Sequence, residues 1–112
     1  MYLRNAWYVA AWDAEVGPDP MARTLLDEPV VLFRTREGQV AALEDRCCHR
    51  HMPLSLGSVI EDDLQCGYHG LRFDATGICV AVPGQAKVPP GAGVRSFPVI
   101  ERHGWVWIWM GD

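Results

Sequence analysis

Two short segments of this chain set chemistry-bearing side chains at ligand spacing. The first is Cys47-Cys48-His49-Arg50-His51-Met52-Pro53; the second is Cys66-Gly67-Tyr68-His69-Gly70. Cys-x-His in one and Cys-x-x-His in the other supply two thiolates and two imidazoles, one of each per segment. That is the donor set in which two histidines replace two cysteines on one iron of a [2Fe–2S] unit. Its chemical point is asymmetry. Thiolates favour ferric iron and hold one site oxidised, while neutral imidazoles lower the negative charge at the other and make it the reducible one. Two alternatives stand beside it. Cys₂His₂ is also a tetrahedral zinc set, although zinc fingers pair Cys with Cys in a knuckle and His with His on a helix. A Cys47–Cys66 disulfide is the other, and an intracellular chain disfavours it.

Each segment follows a β-like run, which places each in a loop at a strand end. Strand-like runs cover Ala22 to Leu26, Pro29 to Thr35, Gln39 to Glu44, Leu71 to Phe73, Ile78 to Ala81, Val94 to Ile100 and Trp105 to Met110, with Leu64-Gln65 between the two ligand segments. Glu37-Gly38, Asp74 to Gly77 and Arg102-His103-Gly104 read as hairpin turns. Val16 to Pro20 and Pro89 to Gly93 are breaker clusters. Helical periodicity is poor, so the expectation is an all-β fold, with two small sheets packed together. The Trp105-Val106-Trp107-Ile108-Trp109 run alternates at period two, and its three indoles are expected to pack into the core.

The chain's 112 residues suit one domain, read as residues 1–112, and nearly half of them are apolar. A domain of this size often needs a staple such as a metal centre. A net charge of −4 and no Lys/Arg cluster argue against nucleic acid. The same mild acidity suits a solvated surface, or docking to a basic redox partner. The N-terminal residues lack a signal-peptide apolar run, and the longest apolar stretches are strand-sized, so no membrane span and a cytoplasmic location are expected. Four cysteines in such a chain read as metal ligands or thiols.

Cys47-x-His49, then sixteen residues, then Cys66-x-Tyr68-His69-Gly70 resembles the Rieske signature of aromatic-ring and demethylating oxygenases. Asn5 to Ala10, Met52 to Gly57, Val94 to Val99 and Trp107-Ile108-Trp109-x-Gly111-Asp112 are likewise similar to the opening of the vanillate/dicamba-demethylase-like enzymes. The resemblance implies a Rieske [2Fe–2S] cluster with Cys47 and Cys66 on one iron and His49 and His69 on the other, through Nδ1. It also implies the Rieske fold: antiparallel sheets, three in number, with a small cluster-binding sub-domain. One position departs from the pattern. The residue after the first ligand cysteine is usually proline, and here it is Cys48, read as a small apolar residue or thiol.

Respiratory Rieske proteins carry a further cysteine in each loop, joined as a disulfide. Met52 and Tyr68 occupy those positions here, and Leu71 stands where those proteins place a serine against the cluster. Fewer hydrogen bonds to sulfur imply the low end of the Rieske range, about −150 mV. Of the remaining candidates, His51 and His103 read as exposed loop side chains and Arg50 as a structural ion-pair partner. Tyr68 reads equally as a donor to a ligand sulfur or a packing residue, and Cys79 reads as core.

A mononuclear iron site on two histidines and a carboxylate has no candidates once the ligands are set aside, since only His51 and His103 remain. No catalytic residue is therefore assigned. The resemblance implies the electron-relay domain of an aromatic-ring oxygenase or demethylase whose catalytic domain is absent from this chain. A flavin- or ferredoxin-type reductase would be the donor and the catalytic iron of a neighbouring subunit in a homotrimer the acceptor. The alternative is a free-standing Rieske-type ferredoxin between a reductase and an oxygenase.

Overall fold

The structure, a computed structural model, describes residues 2–48, 52–67 and 70–112. Among them, three antiparallel sheets account for all the strands. Strands β1 (Ala6–Trp12), β10 (Val99–Arg102) and β11 (Trp105–Met110) form the first, with β11 in the middle. Strands β2 (Met21–Leu25), β3 (Glu28–Arg34), β4 (Val40–Glu44) and β9 (Ser96–Phe97) form the second, in that order. Strands β5 (Ser58–Ile60), β6 (Asp63–Gln65), β7 (Arg72–Phe73) and β8 (Cys79–Ala81) form the third and smallest.

The two-sheet expectation from strand spacing is corrected to three, and Pro98 is part of the reason. The single run expected from Val94 to Ile100 divides at this residue, which has no N–H to give to a ladder. Before it, Phe97 pairs with Ala42 of β4. After it, Val99 pairs with Ile108 of β11. One stretch of chain thus serves two sheets.

The second sheet is the middle layer. Val30 to Phe33 and Val40 to Leu43 are buried at every position, on both faces of their strands. Val30, Leu32, Val40 and Ala42 join Val106, Ile108 and Met110 in one core. Val31, Phe33, Ala41 and Leu43 form a second core with Leu54, Leu64, Leu71, Phe73 and three cysteines, Cys47, Cys66 and Cys79. Burial on both sides explains the continuous apolar runs of β3 and β4, which show no period-two alternation.

The indoles correct another expectation. Val106, Ile108 and Met110 are the core face of β11, while Trp105, Trp107 and Trp109 are only half-buried on the opposite face. Trp7 lies opposite Trp109, and Trp12 opposite Trp105. A regular strand would put Trp7 and Trp12 on different faces, since they stand five positions apart, an odd offset. A bulge between Val9 and Ala11 restores the parity, so all five tryptophans share the outer face.

Candidate metal centre

Both ligand segments leave the ends of strands. The first continues from β4: the Asp45 amide donates to Pro29 O at 3.0 Å, so the ladder with β3 runs one residue past the strand. Two residues later the Cys47 amide donates to Met52 O at 2.7 Å. The second is the turn between β6 and β7, where Gln65 and Arg72 form the last cross-strand pair. There the Cys66 amide donates to Leu71 O, also at 2.7 Å. Each loop is therefore closed in the same way, by a bond from its cysteine amide to the carbonyl five residues on. In the second loop the Gly70 amide also donates to Cys66 O at 3.1 Å, and Gln65 Nε2 reaches Gly70 O at 3.4 Å.

The two loops meet backbone to backbone. A Cβ on Gly57 would collide with the carbonyl of Gln65 and sit 3.1 Å from the Gly67 amide nitrogen. On Gly67 it would sit 3.2 Å from Leu56 O and 3.6 Å from the Gly57 Cα. Only hydrogen fits at the Gly57 Cα, while at Gly67 a Cβ would be tightly crowded. The side chain of Cys47 is 1% exposed and that of Cys66 2%, and both belong to the core under the middle sheet. Cys66 is in no disulfide, so the Cys47–Cys66 bridge is not formed. Cys48 points outward and is exposed. Cys79 is buried in the same core, as expected, and burial pushes its thiol pKa up from the ordinary value of 9.0.

His49, Arg50, His51, Tyr68 and His69 lie outside the described residues, so both imidazole assignments and the readings of Arg50, His51 and Tyr68 do too. His103 takes the left-handed position of the β10–β11 turn and is exposed, as expected. The structure adds four residues that the spacing of ligands did not single out: Asp45, Ser55, Gly57 and Gly67. Asp45 is the one buried charged side chain among the described residues. Its Oδ1 accepts from the Ser55 amide at 2.7 Å and its Oδ2 from Ser55 Oγ at 2.6 Å. A carboxylate two residues before Cys47, with serine two residues past a proline, was the available signal.

The sequence pattern of the Rieske [2Fe-2S] domain family matches residues 6–98. The chain belongs to this family. The Rieske domain described above is an all-β fold of antiparallel sheets, and its cofactor is a Rieske-type [2Fe–2S] cluster. The described part of the site fits that group: two buried sulfur donors stand on two loops of like closure, held together at Gly57 and Gly67.

The domain is 53% identical over 113 residues to the iron-sulfur subunit TsaM1 of the toluene-4-sulfonate monooxygenase system of Comamonas testosteroni, covering 100% of this chain and 33% of that one. It is 52% identical over 112 residues to the oxygenase component of dicamba O-demethylase from Stenotrophomonas maltophilia, covering 99% and 33%. The crystal structure of dicamba monooxygenase bound to dicamba superimposes with a TM-score of 0.96 at 50% identity, over 100% of this chain and 34% of that one. The chain thus spans about a third of the length of the curated relatives it matches. No helix among the described residues is long and apolar enough to cross a membrane.

Proposed function

We propose that Cys47 and Cys66 bind one iron of the Rieske cluster and His49 and His69 the other, and that residues 1–112 act as a single electron-relay domain. The observation that supports this most directly is the matched pair of loops. Cys47 and Cys66 are each buried at the start of a loop closed five residues on, and the Cys-x-His register favours Cys47 over the exposed Cys48. The bound cluster supplies one-electron transfer. The chain's own part is to fix the sulfur donors, keep water from them with Leu54, Leu64, Leu71 and Phe73, and hold the two loops at one separation.

The relay serves an oxygenase of the aromatic-ring or demethylating kind, in the cytoplasm, as part of a homotrimer. A flavin- or ferredoxin-type reductase gives the electron and a catalytic domain with mononuclear iron takes it. Support comes from the relatives, which are oxygenase components and an iron-sulfur subunit of a monooxygenase system. Similarity to them continues past residue 98 through Trp107-Ile108-Trp109 to the last residue, beyond the span of the Rieske pattern. That continuation favours the oxygenase over the free-standing ferredoxin.

The test is electron paramagnetic resonance of the dithionite-reduced protein with metal and sulfide analysis. Two irons, two sulfides and a Rieske-type signal are expected. Stoichiometric zinc with no signal would overturn the reading. Cys47→Ala is expected to abolish the signal and Cys48→Ala to spare it; the reverse pattern would move the ligand to Cys48.

A further inference from the structure

We propose that Asp45 is a positioning residue for the cluster: its carboxylate latches onto Ser55 and so sets how the cysteine-bearing loops face each other. This rests on the cluster assignment above and adds a residue outside the ligand set.

The argument begins with an unfilled cap. Residues Leu54–Leu56 form one 3₁₀ turn, with Pro53 at its N-cap. Proline has no side-chain acceptor to cap a turn, and no cap bond is made from Pro53. The Ser55 amide, in the first turn, would be left an orphan donor. Asp45 fills that role from ten residues upstream, and its second oxygen takes the Ser55 hydroxyl as well. Hydrogen bonds to a carboxylate are stronger than neutral ones, and burial raises the cost of leaving either partner unmatched.

The position of this latch gives it reach. It brackets the first loop outside the closure between Cys47 and Met52, so the loop is pinned by two nested contacts. The residue after Ser55 is Leu56, whose carbonyl bears on Gly67; next comes Gly57, whose Cα packs on the same glycine. Gly67 directly follows Cys66. A continuous path therefore runs from the end of β4 through Asp45, Ser55 and Gly57 to the second cysteine. Loss of the latch frees the 3₁₀ turn, and with it the contact that fixes one loop against the other.

The experiment compares the iron-loaded 112-residue chain with Asp45→Ala, Asp45→Asn, Ser55→Ala and Ser55→Thr. Val30→Ala, in the other core, serves as a control for lost stability alone. Three quantities are read well below melting: the rate of iron release to a chelator, the g-values of the reduced cluster and its midpoint potential. Asp45→Ala is expected to release iron about tenfold faster, the order set by losing a charge-assisted hydrogen bond, and to shift both the g-values and the potential. Ser55→Ala should move the same way by less. Asp45→Asn, whose amide can still accept from the Ser55 N–H and bond its hydroxyl but without the charge, should fall between wild type and Asp45→Ala, and Ser55→Thr should stay near wild type. Val30→Ala should lower the melting temperature with g-values and potential unchanged.

Wild-type spectra and potential in Ser55→Ala and Asp45→Ala would overturn the latch. If Asp45→Ala does not fold, Ser55→Ala decides alone by the same criterion. A wild-type chain with no cluster signal would instead overturn the cluster assignment, so the two failures are separable.

Discussion

Gly57 and Gly67 pack so closely that a Cβ built on either meets the backbone of the opposite loop: Gln65 O and Gly67 N in one direction, Leu56 O in the other. Neither loop can shift far without its neighbour, and the contact is graded. At Gly57 the collision is with a carbonyl oxygen already held in a β-ladder, because Gln65 pairs with both Ser58 and Arg72. At Gly67 the nearest atom lies at 3.2 Å and needs to yield only slightly. Gly57→Ala is therefore expected to abolish cluster incorporation, while Gly67→Ala retains a substantial fraction. Iron content and visible absorption of the two purified variants check the order. Equal loading would show that the loops separate freely.

The potential follows from what surrounds the sulfurs. Leu71 is buried beside Cys47 and Cys66 and brings no side-chain donor to them. Hydrogen bonds to sulfur stabilise the more negative reduced state, so a leucine at this position in place of a hydroxyl donor is expected to leave the potential near the low end, about −150 mV. Leu71→Ser should raise it. Protein-film voltammetry on both forms measures the shift, and a wild-type midpoint above zero would contradict the expectation.

Cys48 and Cys79 differ in environment, and their chemistry should differ accordingly. In the loaded protein, iodoacetamide at about pH 8 should alkylate Cys48 and leave Cys79 unmodified, because burial holds Cys79 as the neutral thiol. Peptide mass mapping distinguishes them. The raised pKa also fixes a sign. The folded state binds the Cys79 proton more tightly than the unfolded state does, so this contribution is complete below the ordinary thiol pKa near 9.0. It is lost as pH rises through the folded value. Denaturant midpoints should fall on passing to alkaline pH, and fall less in Cys79→Ala.

How much of this was legible in the sequence depended on how local each feature is. The hairpin turn at His103-Gly104 was readable because both residues take positive φ, and the residue types signal it. Placing the ligand segments after β4 and β6 needed only the strand-like runs before them, Gln39 to Glu44 and Leu64-Gln65. By contrast, β1 escaped notice because the bulge at Ala10 interrupts its alternation and buries Ala10 and Ala11 in succession. The outward indoles were misread for a different reason. Both faces of β11 are apolar, so period two separates Trp105, Trp107 and Trp109 from Val106, Ile108 and Met110 without saying which set is the core. The Asp45–Ser55 pair joins residues across a loop and has no periodic signature at all.

That outer face leads to a last expectation. Trp12 and Trp105 stack with ring centroids 3.4 Å apart and planes 20° from parallel, and Trp7 meets Trp109 edge-on at 5.6 Å. Both pairs join β1 to β11 across a face that is open to solvent among the described residues. Trp12 is 52% exposed, so about half of it is removed from water. The direct aromatic contact adds to that burial. A double-mutant cycle on Trp12→Ala and Trp105→Ala is expected to give a coupling of about 0.5–1.5 kcal/mol, the range for aromatic pairs beyond burial. Chemical denaturation at fixed pH measures it. A coupling near zero would mean that β1 is held by its backbone ladder and by Tyr8, Ala10 and Ala11 beneath, with the stacked rings contributing nothing to stability.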